Sequence, residues 1–430
     1  MKNQNQFYCQ RSKIDQNKSK LMKPLTRRKL SMLSRYLVQL RLSLSTLHRA
    51  FWILWGGTLI NRMGMVVLPF LSIYLISVRH LQPSLVGLIV ALPGIGGILA
   101  SLLMSILSDH VPRKYLFAFC LAISGVFILT LPFLVSLLWL AIMVLCWSIA
   151  SEAQRPLAGM LVMDLVQEDQ RRQAISLLRT AINVGGTFSS AIGGVLASIA
   201  FFPLFLADAG TTLLFALLIL IFLPRGSKQT MPEKVPGMHL KQILAPLRNG
   251  AFGRFWLAGL CATTVFSQQF TTFAVYLTRQ GGSPLLYGSL MALSCILIAI
   301  LEFPLSTALF RVPAGGMIAT GCLALAVAAG LCSLITAPLW LVFPVLAFTL
   351  GEMVFAPTYD TLGAEMAPAH QRGTYMGLLW VATGLGFAIG PALGGALLQC
   401  SPLLCWGVMG SIGLLAAALA WTTPEKRPAQ

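Results

Sequence analysis

Eight charged side chains of this 430-residue chain lie inside long apolar stretches where no loop explains them: Arg62, Glu152, Arg155, Arg179, Asp208, Glu302, Glu352 and Asp360. A charge at the centre of a membrane helix costs about 2.5–3.5 kcal/mol on insertion scales, so each must face a partner or a wet cavity. Glu152 and Arg155 stand three apart on one helix and can pair directly. Arg179 and Asn183 stand four apart on one face, and Asn61 with Arg62 makes a polar step. Such a set is suited to ion pairing with a solute or to proton exchange, in which a carboxyl moves between apolar and wet surroundings while a cation competes with the proton. Glu152 with Arg155, or Glu352 and Asp360 facing Arg62 or Arg179, could do this. Paired structural ions are the other reading. Gln268, Gln269, Thr271 and Thr272 either line the solute path or bond neighbouring helices.

The nature of the elements that hold these groups follows from composition, with 57% of residues hydrophobic and 10% charged. Soluble domains carry about 25% charged residues, so the composition excludes a water-soluble enzyme. Twelve apolar stretches near the ~20 residues of a bilayer crossing can be read. They run over 50–77, 84–108, 114–135, 137–164, 174–200 and 202–223 (spans 1–6), then 252–279, 284–310, 315–336, 338–365, 373–399 and 402–421 (spans 7–12). The fold class is therefore an all-α polytopic membrane protein, and short alternating segments of a β-barrel are absent.

Fourteen basic residues fall in the turns after even-numbered spans, the linker, the start of span 7 and the C-terminal tail. Only Arg79 and Arg279 fall in the odd-numbered turns. By the positive-inside bias both termini are expected in the cytoplasm, in a cell (inner) membrane. Residues 1–49 form a basic arm: twelve of the 31 Lys and Arg, against one acid, lie in residues 1–50. Leucines at 30, 33, 37, 40, 44 and 47 make one helical stripe, suited either to an amphipathic helix on anionic lipid or to a solvated tail. No apolar signal-peptide core follows Lys2, so a secretory leader is not expected. A nucleic-acid partner is not expected either, because the basic patch abuts the first span.

The chain repeats itself. At an offset of 201, Pro83, Gly87, Pro112, Pro156, Arg171, Leu178, Gly185 and Gly194 meet identical residues at Pro284, Gly288, Pro313, Pro357, Arg372, Leu379, Gly386 and Gly395. This predicts two six-span bundles in like orientation, 50–223 and 252–422, joined by a cytoplasmic linker at 224–251 and followed by a tail at 423–430. The buried charges do not repeat. Arg155 and Arg179 correspond to Ala356 and Trp380, and Glu302, Glu352 and Asp360 to Ser101, Ser151 and Gly159. A scaffold device should repeat with its scaffold, which favours a solute or proton site for these residues.

Two motifs carry a family resemblance. The turn after span 2 reads Ser105-Ile-Leu-Ser-Asp109-His-Val-Pro-Arg113-Lys114, and span 11 reads Gly377-x8-Gly386-x3-Gly390-Pro391-x2-Gly394-Gly395. From Phe51 to Trp421 the chain resembles the major facilitator superfamily, in particular its drug/proton antiporter-type members. The resemblance implies that Asp109 faces the start of span 11 and that Arg113 meets an acid ending span 4, here Asp164. With Lys114 these would latch the inner side shut. It also implies that Gly386, Gly390, Pro391 and Gly394 form a smooth, kinkable gating face. The family places this glycine-proline motif in span 5 of exporters, whereas span 5 here carries Ser189-Ser190. Span 4 keeps the Arg and Gly, but not the Gln, of the antiporters' Arg-x-x-Gln-Gly, and span 1 has Asn61-Arg62 where drug exporters often have an acid.

The five histidines are scattered and the nine cysteines contain no Cys-x-x-Cys, so neither an enzyme nor a metal site is expected, and no phosphate-binding loop or other cofactor motif is present. The expectation is a monomeric secondary transporter for a small-molecule solute, working by alternating access as proton-coupled efflux of drug-like or metabolic compounds. Proton-coupled uptake of a small anionic or zwitterionic solute is the alternative. A membrane sensor or assembly factor that does not transport is the alternative of another class.

Overall fold

The computed structural model describes residue 47 and residues 49–167, 170–224, 244–308, 312–368 and 371–423, with the backbone alone at 105–106, 108–110, 172, 303 and 306–308. The leucine stripe of the basic arm up to Leu44, linker residues 225–243 and tail residues 424–430 lie outside the described residues, as does the side chain of Asp109. The described residues are helical throughout, with no strand.

Span 1 is two helices, Arg49–Gly64 and Val67–Ser77; span 2 is Pro83–His110; span 3 is Arg113–Thr130. Span 4 is Leu137–Glu152 and Gln154–Leu165, span 5 Arg171–Ile199, and span 6 Phe202–Phe222. The second half follows with span 7 as Gly250–Phe266 and Thr272–Arg279, then span 8 Pro284–Ala308 and span 9 Ala314–Leu334. Span 10 is Val342–Met366, span 11 Arg372–Cys400 and span 12 Pro402–Trp421. Eleven of these are long and apolar enough to cross a membrane. Span 7 is the twelfth, divided by a 3-10 turn at Ser267–Phe270. Large apolar side chains such as Phe119, Leu138, Leu217, Ile221, Ile300 and Leu334 are exposed. A surface of that kind suits contact with lipid.

Spans 1, 4 and 7 are each divided by a break. In span 4 Pro156 lacks the N–H that would bond the Glu152 carbonyl, and the helix is interrupted at Ala153. Pro357, its counterpart in the repeat, lies inside an unbroken span 10. Span 1 restarts at Val67, whose otherwise orphaned N–H is accepted by Asp208 Oδ2 of span 6 at 3.0 Å. Asp208 is 1% exposed, so this buried carboxylate has a structural task that its residue type alone did not disclose.

Helix pairing repeats between halves. Spans 1·5, 2·4, 3·6 and 1·6 pack in the first half, as spans 7·11, 8·10, 9·12 and 7·12 do in the second. The halves meet chiefly along spans 2·11 and 5·8. Backbones approach closely there because the facing residues are glycines. A Cβ on Gly87 would lie 2.3 Å from the Pro391 carbonyl oxygen, and one on Gly194 3.0 Å from the Gly288 Cα. The 2·11 seam runs from Ile98 against Gly384 in mid-span to Gln82, whose Oε1 accepts from Gln399 Nε2 at 2.9 Å, near the end where span 2 starts.

Candidate functional site

In the first half the charges gather where spans 1 and 4 are broken. Arg62 ends the first segment of span 1 and donates to Met65 Sδ at 3.2 Å. It lies in electrostatic reach of Arg155, Glu152 and Asp208. Arg155 Nε and Glu152 Oε2 are 3.2 Å apart across the span 4 break, with the Arg155 side chain more than half exposed and that of Glu152 one-fifth exposed. Glu152 packs near Gly97 of span 2. Two cations thus stand with one accessible acid, Glu152, and one buried acid, Asp208.

The second half carries the complementary sign. Glu352 of span 10 and Glu302 of span 8 lie within each other's field, with Cys295 beside Glu352. Asp360 lies in electrostatic reach of Arg179 of span 5, across the two halves. Cys295 also meets Ser190 and Thr187 of span 5, so spans 5 and 8 adjoin at the level of these acids. Glu352 and Asp360 are half-buried, whereas Arg179 and Asn183 are exposed on span 5.

Other predicted residues are placed elsewhere. Gln268 and Gln269 are fully buried. Gln268 Nε2 donates to the Thr264 carbonyl and its Oε1 accepts from Thr272 Oγ1, while Gln269 Nε2 reaches Ser294 Oγ at 3.4 Å. Asn61 is likewise buried, its Nδ2 donating to Thr212 Oγ1 of span 6 at 2.8 Å.

The expected gating residues divide into two groups. Arg113 Nη1 meets Asp164 Oδ1 at 2.6 Å, joining the start of span 3 to the end of span 4. Lys114 is buried and donates to the Leu223 carbonyl at the end of span 6, where a cation suits the helix dipole. Gly386, Gly390 and Gly394 do not face the other half. They seat Thr263, Ser267 and Gln268 of span 7, so their contact is internal to the second bundle. Pro391 and Gly395 are the motif residues that touch span 2. The difference is one of helix face: positions 386, 390 and 394 share one side of span 11, and 384, 391 and 395 another.

One pair of residues escaped the sequence reading. Trp55 Nε1 donates to the Leu177 carbonyl at 2.9 Å, and Trp256 Nε1 donates to the Leu378 carbonyl at 2.7 Å. Both donors and both acceptors are related by the same offset of 201. The identity of Trp55 and Trp256 in the repeat was the signal available; it did not say that an indole would leave its own helix for a neighbour's backbone.

The profile of the Major Facilitator Superfamily matches residues 54–391. An uncharacterized MFS-type transporter, YqjV, of Bacillus subtilis (strain 168) is 25% identical over 86% of this chain and 92% of its own length. The multidrug resistance protein MdtH of Aeromonas hydrophila subsp. hydrophila is 28% identical over 64% of this chain and 69% of its own. Among solved structures, a mutant form of the nucleoside transporter NupG superposes with a TM-score of 0.76 at 13% identity, covering 87% of this chain and 99% of that one. At that identity the likeness is one of fold.

Proposed function

This multi-pass membrane chain belongs to the major facilitator superfamily, and on that premise we propose that it is a secondary active transporter for proton-coupled efflux of drug-like or metabolic compounds. The observation that carries the reading is the division of unlike charge between halves. Arg62 and the Glu152–Arg155 pair lie on one side, Glu302, Glu352 and Asp360 on the other, and Arg179 lies in electrostatic reach of Asp360 between them. Groups held on separate bundles change partners when the bundles rock, which is what alternating access requires of a coupling site. The likeness to multidrug resistance proteins supports efflux over the other directions of transport.

In this reading both termini are cytoplasmic, in the cell membrane. The end at which Gln82 meets Gln399 is then the outer one, and the glycine seams hold the outer side shut. Arg113 and Asp164 sit at the inner side, where their ion pair bridges two helices of one bundle. Glu352 and Asp360 carry protons, Arg179 competes with the proton for Asp360, and Arg155 pairs with Glu152.

The three arginines inside spans, all on the first half, favour a second reading: uptake of a small anion or zwitterion. One experiment separates the two. Proteoliposomes under an imposed pH gradient are assayed with ethidium as a cation, carboxyfluorescein as an anion and dialanine as a zwitterion. Efflux-type exchange predicts movement of ethidium opposite to protons. Movement of carboxyfluorescein or dialanine with protons supports the second reading, and flux indifferent to the gradient overturns the coupling.

A further inference from the structure

The two indole contacts mark the same helix seam in both halves. In the first, Trp55 of span 1 bonds the Leu177 carbonyl of span 5 and, two turns on, Arg62 leans on Gly185, where a Cβ would come within 2.4 Å of the Arg62 Cβ. In the second, Trp256 of span 7 bonds the Leu378 carbonyl of span 11 and, two turns on, Thr263 leans on Gly386. Every position in the two sets is related by the offset of 201, so the seam is one device built twice. Trp55 and Arg62 are seven residues apart on a continuous helix and share a face. A bond at Trp55 therefore fixes both the rotation of span 1 and its slide along span 5.

We propose that Trp55 is a positioning residue for Arg62: its bond to the Leu177 carbonyl, with the seat at Gly185, indexes span 1 against span 5 and sets how Arg62 is presented to the solute path. Trp256 indexes span 7 in the same way and presents Thr263, an uncharged side chain bonded to its own helix at the Gly259 carbonyl. The twin straps are alike as structure and unlike in consequence. The proposal rests on the reading of Arg62 as a transport residue, and its test does not depend on knowing the solute.

The experiment introduces Arg62→Cys or Thr263→Cys into the full chain in membranes. The rate of labelling by a water-soluble maleimide is read at that position alone by peptide mass spectrometry. Phenylalanine keeps the ring and removes the donor. Trp55→Phe is expected to raise labelling at position 62 about five-fold, the change in a local opening equilibrium when one hydrogen bond is lost, and to leave position 263 within two-fold. Trp256→Phe is expected to do the converse. A general loss of stability would move both positions in both variants, and that result overturns the proposal, as does no labelling at position 62 in any background. Arg62→Lys and Arg62→Ala, assayed for ethidium flux, test the transport reading separately. If flux ignores Arg62 while the labelling pattern holds, the transport reading fails and the strap stands.

Discussion

Gly185 and Gly386 occupy the same place in two copies of one helix pair, but an arginine leans on the first and a threonine on the second. Around them almost everything is shared: the indole bond one strap away, the pairing of spans 1·5 with 7·11, and a break where each first helix passes mid-membrane. The scaffold has been kept in duplicate while its cargo has diverged. Packing asks only for small residues and backbone acceptors, which both halves can supply. Solute or proton chemistry asks for unlike groups facing each other, which two identical halves cannot supply.

The comparison is broken most forcefully at the cargo itself. Arg62→Ala is expected to lower gradient-driven flux of ethidium at least about ten-fold, the loss of one charge contact worth about 1.4 kcal/mol or more in a desolvated site. Thr263→Ala should stay within about two-fold. Equal effects in the same proteoliposome assay would mean that the two seats are equivalent and the division of labour is wrong.

The seams between halves come next. At Gly87 an added methyl meets the carbonyl oxygen of Pro391 at 2.3 Å, a backbone atom that cannot turn aside, whereas at Gly194 the nearest atom is 3.0 Å away. Gly87→Ala should therefore cost about 1–3 kcal/mol, as overpacking does, and Gly194→Ala less than about 1 kcal/mol. Paired thermal melts in detergent would show the order, and a larger loss at Gly194 would contradict this account of the 2·11 seam.

A smaller contrast lies between two helix caps. Asp208 caps the restart of span 1 from inside the bundle, and Asn249 Oδ1 caps span 7 at an exposed end by accepting from the Ala251 N–H. Asp208→Ala is expected to destabilise by about 2 kcal/mol and Asn249→Ala by about 0.5–1 kcal/mol. Last come the inner ends. Asp164 holds Arg113 at 2.6 Å, while its repeat counterpart Glu365 is exposed and the position equivalent to Arg113 is Ala314. Asp164→Ala should lower stability by about 0.5–1 kcal/mol, discounted for its partial exposure. Glu365→Ala should not shift the melt measurably.

Much of the architecture was legible before any coordinates. Apolar run length reveals a bilayer crossing without tertiary knowledge, and the identity of Pro83 with Pro284 or Gly194 with Gly395 revealed the duplication. The contact of Glu152 with Arg155 followed from their spacing of three, which survives the break because Ala153 between them keeps helical dihedral angles. Gln268 and Gln269 were not legible in this way. A polar residue in an apolar span can bond a neighbouring helix or line a cavity, and both outcomes have the same local sequence. Asp208 hid for a related reason: the N–H it accepts belongs to a break in another helix, which Gly64 and Pro69 mark locally without disclosing which residue would cap it.

What the sequence determined by itself is the number of crossings, their two-fold repetition and the short list of charges that fail to repeat. These depend on hydrophobic length and on identity at a fixed spacing, both of which are written along one chain. Which face of each helix meets which neighbour was decided only by tertiary packing. That choice put Gly386, Gly390 and Gly394 against span 7, and gave the meeting with span 2 to Pro391 and Gly395. It also carried two tryptophans out to the carbonyls of Leu177 and Leu378. The physical reason is that close approach depends on the shapes of both surfaces at once, and each surface is complete only after its own helix has folded.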